Sequence, residues 1–424
     1  MIDPELLRKD PERIREAARL KGFDPETVDL AVTLDRRRRE LLAVVERLRA
    51  ERNALSKRIG SLPPEERHAA LTRATVLKER LAQLEPELRD VQNRLQHLLL
   101  CLPNPPAPSS PVGSSDEDNV EIRRWGQPPS FPFPPRDHME LGQLLGIIET
   151  ERAVKMAGSR AYFLKNEGAL LEWAVLRFAV DLLLRRGYTL LAPPVLVRDE
   201  AMTATGYFPL GREEVYRLER DELNLVGTAE VPLVAYHMDE TLEENELPRR
   251  YCALSPCFRR EVGSAGRDVH GLYRVHQFFK VEQVIICEAD PDASRRYHEE
   301  LLKNAEDILQ ALELPYRVVQ VCTGEMGQGQ VLKHDIETWM PSRGRYGETH
   351  SCSSFHDFQA RRARIRYRDR NGRVRYAYTL NNTAVASPRI LIPLLEIHQR
   401  EDGSVRIPEA LRPYMGGLEA LAPR

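Results

Sequence analysis

The chain has 424 residues, 42% of them hydrophobic and 30% charged, which is enough for two domains with a sizeable buried core. Its formal net charge of −2 gives no sign of a polyanion partner, so any signal for binding nucleic acid must be local. Six cysteines without paired short spacings argue against a disulfide framework and indicate a reducing compartment.

The N-terminal sequence and the most apolar stretch predict a cytoplasmic protein that makes no contact with a membrane. Residues 1–5 carry acidic side chains where a signal or transit peptide would be basic. The stretch from Leu170 to Leu184 is interrupted by charged residues, which is typical of an amphipathic helix and not of a membrane span. Cys252 and Cys257 lie close together, but no second ligand pair follows at zinc spacing, so no zinc is expected.

The first predicted element is a helical hairpin. Its first helix repeats leucine every seven residues, at Leu34, Leu41, Leu48 and Leu55. The residues from Gly60 to Pro64 break the helix, and the second helix has a heptad seam of Leu77, Leu81, Leu84, Leu88, Val91, Leu95 and Leu98. We predict an antiparallel coiled-coil hairpin as a domain over residues 1–102, with a bend at Pro86, which removes a backbone hydrogen bond.

The first helix of this hairpin is basic. From Thr33 to Gly60, nine arginines and lysines stand against four acidic residues, and nine minus four leaves a local charge of about +5. A solvated helix face is the ordinary meaning of such a run, and RNA binding is the alternative.

Residues 103–115 are rich in proline and serine and predict a linker, and residues 116–424 follow as a second domain. Helical segments such as Leu170–Arg186 and Tyr297–Leu312 alternate there with β-rich runs such as Val281–Cys287 and Tyr316–Thr323. Further strands are expected around the turn at Asn371-Gly372. The pattern indicates an α+β fold, an antiparallel sheet flanked by helices. Neither G-x-G-x-x-G nor a Walker P-loop occurs, so a nucleotide site would need another design.

A first polar cluster with candidate chemistry joins two predicted strands. It runs from Phe258 to Glu261 and, after a loop through Gly263, Gly266 and Gly271, from Arg274 to Glu282. Taken alone, the Phe-Arg-x-Glu segment is equally typical of a surface salt bridge.

Two further clusters suit phosphate and its metal ion. The segment Glu348–Ser353 places a carboxylate three residues before a hydroxyl, a pair suited to Mg²⁺ held with phosphate oxygens, or to capping a turn. The segment Thr379–Arg389 leads small polar residues into an apolar helix from Ile390 to Ile397, which suits a phosphate at a helix N-terminus or a plain N-cap.

The three clusters follow the predicted coiled coil along the chain, and in this order they resemble motifs 2 and 3 of class II aminoacyl-tRNA synthetases. Nearly the whole chain resembles the bacterial-type seryl-tRNA synthetases. Leu170–Arg186 followed by Tyr188–Pro193 resembles motif 1, which implies a homodimer. Other matching stretches are Gly158–Arg160, Gly227–Glu230, Thr323–Gly327, Asp357–Arg362 and Arg412–Gly416. The resemblance implies ATP-dependent activation of serine to seryl-adenylate and its transfer to the 3′-terminal adenosine of serine tRNA, with selenocysteine tRNA as a further substrate.

The resemblance also implies roles in ATP binding. Arg259 is expected to hold the α-phosphate and the serine carboxylate, and Arg389 to clamp the γ-phosphate. Phe278 is expected to stack on adenine and Glu261 to read the adenine edge. The remaining expected contacts are Arg260, Val275, Thr349 and His350, together with Glu348 and Ser351, which would support Mg²⁺. No general base is needed, because the attacking carboxylate of serine is already ionised at neutral pH.

Serine and tRNA contacts follow from the same resemblance. Serine is expected to bind Thr228, Ala229, Glu230, Arg259, Glu282, Asn381 and Thr383. Such a polar pocket disfavours alanine by leaving its groups unpaired. The hairpin is expected to bind the long variable arm of serine tRNA through phosphate contacts, with candidate contacts at Arg36, Arg39, Arg47, Arg52 and Lys57.

The third cluster departs from the common family pattern, because Asn382-Thr383 and Ser387-Pro388 stand where glycines are usual. Two other functions are consistent with the fold: an inactive paralogue that binds RNA or a partner, and an aminoacyl ligase that charges a carrier protein. The intact Arg259 and Arg389 argue against the first, and the complete hairpin argues against the second.

Overall fold

The computed structural model describes residues 1–262 and 271–424, and the chain divides into two compact units, Met1–Pro103 and Asn104–Arg424. Gly263 and Gly266 of the predicted loop lie outside the described residues. Within the described ranges, no helix is long and apolar enough to cross a membrane.

The first unit consists of four helices, α1 (Pro4–Lys9), α2 (Pro11–Leu20), α3 (Glu26–Arg58) and α4 (Pro64–Cys101). The two short helices begin with the same signal, an aspartate N-cap followed by proline. Asp3 accepts a hydrogen bond from the Glu5 N–H, and Asp10 accepts one from the Arg13 N–H. These caps satisfy backbone donors that a helix leaves unpaired at its start.

The long helices α3 and α4 pack along the predicted leucine seam, so the predicted hairpin is confirmed. The seam residues of α4 from Leu77 to Leu95 are buried, while Leu98 is half-buried and Leu99 is buried instead. On α3, Leu34 and Leu41 are buried and the more distal leucines are half-buried. Helix α4 continues through Pro86 without interruption, and the bend there stays a prediction.

The second unit contains all of the strands. They are β1 (Val120–Trp125), β2 (Ile148–Glu149), β3 (Phe163–Leu164), β4 (Thr189–Leu190), β5 (Leu196–Val197), β6 (Arg217–Leu218), β7 (Leu223–Leu225), β8 (Thr241–Glu243), β9 (Arg249–Phe258), β10 (Gln277–Cys287), β11 (Tyr316–Gln320), β12 (Leu332–Met340), β13 (Arg345–His356), β14 (Arg366–Arg368), β15 (Val374–Tyr376), β16 (Tyr378–Ser387), β17 (Val405–Arg406) and β18 (Ala420–Leu421). Its helices are α5 (His138–Leu144), α6 (Glu151–Ala157), α7 (Asn166–Arg185), α8 (Asp199–Thr205), α9 (Glu230–Ala235), α10 (Pro291–Ala311), α11 (Phe358–Ala363) and α12 (Leu391–Ile397).

Eight of these strands form one sheet in the order β1-β11-β12-β13-β16-β10-β9-β4. Every neighbouring pair is antiparallel except β4 with β9, which is parallel. Small sheets of two or three strands surround it. The predicted α+β class, with an antiparallel sheet flanked by helices behind a helical hairpin, is confirmed.

Helices cover both faces of this sheet, as the packing of strand β10 illustrates. Its residues Val281 and Ile285 belong to the apolar cluster that includes buried side chains of α7 and α10. On the opposite face, Val284 and Ile286 pack in a second cluster with side chains of α9 and α11. Since side chains alternate along a strand, Phe278, which precedes Val284 by an even step, lies on the second face.

The predicted elements differ from the observed ones mainly at their ends. The strand expected from Tyr188 to Pro193 is reduced to Thr189–Leu190. Helix α10 begins earlier than expected, at Pro291, where the Asp290 side chain caps the Asp292 N–H. The segment 103–115 contains neither helix nor strand, as its composition predicts. It is nevertheless tied to the second unit by backbone hydrogen bonds such as Ala107 N–H to the Val331 carbonyl.

Candidate active site

A cleft of about 380 Å³ opens in the second unit where residues of β10, β13 and β16 meet the end of β9. All three polar clusters identified in the sequence reach it. The predicted site residues in its lining are Arg259, Glu261, Val275, Phe278, Glu348, Thr349, Ser351, Arg389, Glu230, Glu282, Asn381 and Thr383. The clusters are far apart in the chain, and antiparallel pairing of neighbouring strands brings them together.

Several predicted residues lie beside the cleft and not in its lining. Arg260 is exposed and donates to the Glu213 carbonyl at 3.2 Å. His350 is buried behind Thr349, with 2.8 Å between Nδ1 and the threonine hydroxyl and 3.1 Å between Nε2 and the Ala384 carbonyl. Burial lowers the pKa of His350 to about 4, so it is neutral at pH 7 and supports the strand. Ala229 is fully buried.

Arg259 enters the cleft from the end of β9. Its Nε donates to the Gly227 carbonyl at 3.2 Å, and its guanidinium lies 5.2 Å from the centre of the Phe278 ring. Within the described residues, the two Nη groups of Arg259 have no hydrogen-bond acceptor, so they are available to an anion. A permanently charged, forked donor in this position suits a phosphate or a carboxylate.

Arg389 is a second arginine in the lining of the cleft. Its Nε donates to the Tyr273 carbonyl at 3.1 Å, its Nη1 donates to the Glu348 carbonyl at 3.0 Å, and the guanidinium lies 4.3 Å from the Tyr273 ring centre. On the adjoining wall, Glu261 is paired with Arg274 at 3.0 Å. The contacts of Arg259 and Arg389 fix two cationic groups in the lining of one cavity, an arrangement that suits a polyphosphate.

Glu282 lies in a buried polar pair in the lining of the cleft. The Lys280 ammonium is 2.6 Å from its Oε2, and the Thr228 hydroxyl donates to the same oxygen at 3.3 Å. Both charged side chains are nearly inaccessible to solvent. A buried carboxylate needs such partners, because leaving it unpaired would cost several kcal/mol.

Glu230 is the second buried carboxylate of the cleft. It accepts hydrogen bonds from the Tyr207 hydroxyl at 3.2 Å and from the Gln359 amide at 2.7 Å, and Gln359 in turn accepts from the Thr379 hydroxyl at 2.6 Å. Burial, with the nearby charge of Glu282, raises the pKa of Glu230 to about 7. Near neutral pH the carboxyl group of Glu230 is therefore only partly ionised, and a cation in the cleft would favour its ionised form.

The oxygen donors at β12 and β13 fit a hard cation. Ser351 and Asp335 face each other across these strands, and Oδ1 of Asp335 is buried without a hydrogen-bond partner among the described residues. Burial, with the charge of Glu348, raises the pKa of Asp335 to about 6. Loss of water opposes ionisation of Glu348, but Arg389 and other nearby cations hold its pKa below the usual value. The described residues contain no group of three metal-binding side chains, so phosphate oxygens would have to complete the coordination.

Four further residues belong to this site although no role was predicted for them: Lys280, Tyr207, Gln359 and Asp335. For Lys280 a signal existed, because alternation along β10 places it on the same face as Phe278 and Glu282. Gln359 lies in the matching stretch Asp357–Arg362, but no role was predicted for it. Tyr207 and Asp335 had no local signal, because tertiary packing brings Tyr207 into the lining and Asp335 beside Ser351.

On the helical unit, the predicted RNA contacts lie along α3. Arg39 is paired with Asp35 at 3.1 Å, and Arg52 contacts Asn53 at 3.4 Å. By contrast, Arg36, Arg47 and Lys57 form no ion pair or side-chain hydrogen bond within the described ranges. Their charges are therefore uncompensated and available to an external anion.

Comparisons with known proteins cover both units. A model of the seryl-tRNA synthetase N-terminal domain matches residues 1–106, and a model of the tRNA synthetase class II core domain (G, H, P, S and T) matches residues 214–398. The serine–tRNA ligase of Deinococcus radiodurans is 51% identical over 424 residues, with 99% of each chain covered. The chain belongs to the seryl-tRNA synthetase family.

Further relatives agree with this assignment. The serine–tRNA ligase of Rubrobacter xylanophilus is 47% identical, with 98% of each chain covered. The crystal structure of seryl-tRNA synthetase from Pyrococcus horikoshii complexed with ATP has a TM-score of 0.94 and 38% identity, and all of both chains is covered. The cytoplasmic serine–tRNA ligase of Naegleria fowleri in complex with AMP has a TM-score of 0.89 and 29% identity, with 100% of this chain and 99% of that chain covered.

Membership makes the chain an aminoacyl-tRNA synthetase, a ligase that joins serine to tRNA. The family resemblance drawn from the sequence and the predicted enzyme class are confirmed. The class II core match, residues 214–398, includes Arg259, Arg389 and the two buried glutamates of the cleft.

Proposed function

We propose that the cleft activates serine with ATP, releases pyrophosphate, and transfers the seryl group to the 3′-terminal adenosine of serine tRNA. The observation that carries this proposal is the convergence of Arg259 and Arg389 on one cavity beside the buried Glu282 and Glu230. Two cations suit a triphosphate, and two carboxylates suit the ammonium group of an amino acid. A related structure, that of the Pyrococcus horikoshii enzyme, was determined with ATP.

In the first step, a carboxylate oxygen of serine attacks the α-phosphorus of ATP. A bond forms between them, the bond from the α-phosphorus to the bridging oxygen breaks, and pyrophosphate leaves with its electrons. Arg259 holds the α-phosphate and the attacking carboxylate through its available Nη groups, while Arg389 holds the γ-phosphate. Both guanidiniums stay charged as negative charge accumulates, so electrostatic stabilisation replaces a general base.

The remaining lining residues orient ATP. Phe278 presents a ring for stacking on adenine, and Glu261, held by Arg274, reads the adenine edge. Val275 and Thr349 border the same space. Glu348 and Ser351, with Asp335 behind them, would hold Mg²⁺, which supplies neutralisation of the phosphate charge when bound.

Buried polar side chains of the cleft would discriminate serine from other amino acids. The serine ammonium would lie against Glu282 and Glu230, with Thr228 on the oxygen that Lys280 also contacts. Asn381 and Thr383 on β16 would accept or donate to the serine hydroxyl. Alanine would leave these groups unpaired, at a cost of about 1–3 kcal/mol for each buried polar group.

The apparent KM for serine is expected to fall as pH rises from 6 to 8. The pKa of Glu230 is raised to about 7, so its carboxyl is mostly protonated below that pH and attracts the ammonium weakly, whereas above it the carboxylate is ionised. Between pH 8 and pH 6 the parent should lose up to about tenfold in serine affinity. Glu230→Gln should flatten this dependence, measured as initial rates of pyrophosphate exchange. An unchanged slope in the variant would assign the pH dependence to another group.

For the helical unit we propose that residues 1–102 bind the long variable arm of serine tRNA, and of selenocysteine tRNA, through the uncompensated charges on α3. Residues 103–115 then connect this unit to the catalytic residues 116–424. A cytoplasmic location is consistent with the scattered spacing of the six cysteines, which predicts a reducing compartment.

The outer face of α7 supports a homodimer. Leu170 and Trp173 are 54% and 59% exposed, although Glu172 between them is buried and accepts a hydrogen bond from Ser387 at 2.7 Å. The helix therefore presents apolar side chains to solvent and hides a charged one, which is typical of a protein interface.

Trp173→Glu is expected to convert a dimer into monomers, because it places a charge in the centre of an apolar interface. Sedimentation velocity at micromolar concentration measures the mass. Val374→Glu, at a similarly exposed apolar residue on β15, is the control and should leave the dimer intact. If Trp173→Glu kept the parent's mass, this face would not be the interface.

The proposed activation is tested by exchange of labelled pyrophosphate into ATP with serine, threonine, alanine or glycine. Exchange that depends on serine supports the proposal. No exchange with serine would leave an inactive paralogue that binds RNA or a partner, and a preference for glycine or alanine would favour a ligase that charges a carrier protein.

A further inference from the structure

A buried pair, His138 and Glu396, lies outside the lining of the cleft, and a hydrogen bond from the backbone N–H of Leu272, a lining residue, joins it to that lining. Glu396, on α12, is completely inaccessible to solvent. Its Oε1 accepts hydrogen bonds from the backbone N–H of His138 at 3.1 Å and from the Ser342 hydroxyl at 2.7 Å, and its Oε2 accepts from the Ser342 N–H at 2.9 Å. The His138 Nδ1 lies 2.7 Å from Oε1.

The other ring nitrogen fixes the tautomer of His138. Its Nε2 lies 3.2 Å from the backbone nitrogen of Leu272, and a backbone N–H can only donate. Nε2 is therefore the acceptor, the ring proton is on Nδ1, and Nδ1 donates to Glu396. The imidazole thus connects a buried carboxylate to a backbone donor in the wall of the cleft.

The backbone comes unusually close to this ring. Gly271 has φ of +81°, and a Cβ there would lie 2.3 Å from Nε2 of His138. Only glycine allows this approach, because any side chain would displace either the ring or the backbone. The contact holds the segment that runs from Gly271 into β10.

That segment carries Tyr273, which holds Arg389 with its carbonyl and its ring. Arg343 also stacks on the Tyr273 ring, at 4.1 Å from its centre, and it directly follows Ser342, which Glu396 binds. Glu396 therefore anchors both segments that border Tyr273. Helix α12 begins two residues after Arg389 in the chain. The contacts therefore form a closed circuit that runs from Glu396 through Tyr273 to Arg389 and back along the chain to Glu396.

We propose that His138 and Glu396 are positioning residues that set the location of the Arg389 guanidinium, and thereby the affinity for the triphosphate of ATP. The inference rests on the proposed function, in which Arg389 binds the γ-phosphate. It predicts a defect in ATP binding with little effect on serine, because the side-chain partners of Glu282 on β10 and of Glu230 at the start of α9, within the described residues, are Thr228, Lys280, Tyr207 and Gln359, none of which forms a hydrogen bond or an ion pair with His138 or Glu396.

The test uses two substitutions of His138 in the full-length chain, each of which keeps one of the two hydrogen bonds of the imidazole. His138→Asn can still donate to Glu396 but cannot accept from the Leu272 N–H, whereas His138→Gln can present an oxygen to that N–H. In pyrophosphate exchange, His138→Asn is expected to raise the KM for ATP about tenfold with the KM for serine within about twofold. His138→Gln should recover most of the loss.

His237→Gln is the matched control. His237 is also buried and lies 2.7 Å from a glutamate, Glu240, but it packs with Tyr251 away from the cleft lining. It should change the melting temperature without changing the KM for ATP. Equal increases in both KM values for the His138 variants, or an unchanged KM for ATP in His138→Asn, would overturn the inference.

Ser342→Ala keeps the test decisive if the histidine variants fail to fold. It removes one donor to Glu396 from an exposed residue, and it should raise the KM for ATP by about threefold with serine unaffected. No change in the KM for ATP would count against the inference. Calorimetric titration with ATP alone separates the two proposals, because the variants should lose ATP affinity relative to the parent even if the parent exchanges no pyrophosphate.

Discussion

Arg259→Ala is expected to reduce serine-dependent pyrophosphate exchange by at least about a hundredfold to a thousandfold, mainly through kcat. Within the described residues, the Nε of Arg259 is the one guanidinium nitrogen that donates a hydrogen bond, so its Nη groups are available to the charge that develops on the α-phosphate. A water molecule could replace its contacts in the ground state, but it could not supply a fixed positive charge. The measurement is exchange at saturating serine and ATP, compared with the parent.

Arg250→Ala provides the control on the same strand. Arg250 lies at the opposite end of β9, where it pairs with Glu300 at 2.7 Å outside the cleft lining. Losing this half-buried pair should lower stability modestly and leave exchange within about threefold. If both variants lost activity equally, the loss would reflect damage to β9, and Arg259 would have no special part in the chemistry.

The helical hairpin and the three polar clusters could be predicted from the sequence because their signals are local. A heptad repeat needs only the spacing of apolar residues, and it located the buried seam of α4 to within one residue at Leu98. The α10 start was missed although Asp290 and Pro291 formed a recognisable cap. Ends of elements depend on such single contacts, which periodicity does not report.

Contacts between distant segments could not be predicted in this way. Gln359 reaches Glu230, and Glu396 reaches His138, only because separate helices pack against the sheet. Glu172 illustrates the same limit: it is one of the charged residues that indicated an amphipathic helix from Leu170 to Leu184, but it is buried against Ser387. Its burial raises its pKa, and the exposed face of α7 is apolar instead.

The second large effect is expected on the helical unit. Replacing Arg36, Arg47 and Lys57 together by glutamine should lower kcat/KM for serine tRNA in aminoacylation about a hundredfold at physiological salt, while pyrophosphate exchange stays at the parent's rate. Each phosphate contact contributes through release of counterions, and three contacts sum to about two orders of magnitude. Arg36, Arg47 and Lys57 form no ion pair among the described residues, so their charges are available to RNA phosphates.

A matched triple variant tests that reason. Arg37, Arg49 and Arg73 carry the same total charge on the same hairpin, but they are paired across it with Glu87, Glu85 and Glu51. Their replacement by glutamine should reduce aminoacylation much less, because charges already neutralised by a neighbour release few counterions on binding RNA. In a plot of log kcat/KM against log salt concentration, the slope should become less steep by about two to three for the variant of Arg36, Arg47 and Lys57, and should stay at the parent's value for the matched variant. Equal losses in both would mean that tRNA senses the net charge of the hairpin, and unchanged aminoacylation in the first would place the RNA contact elsewhere.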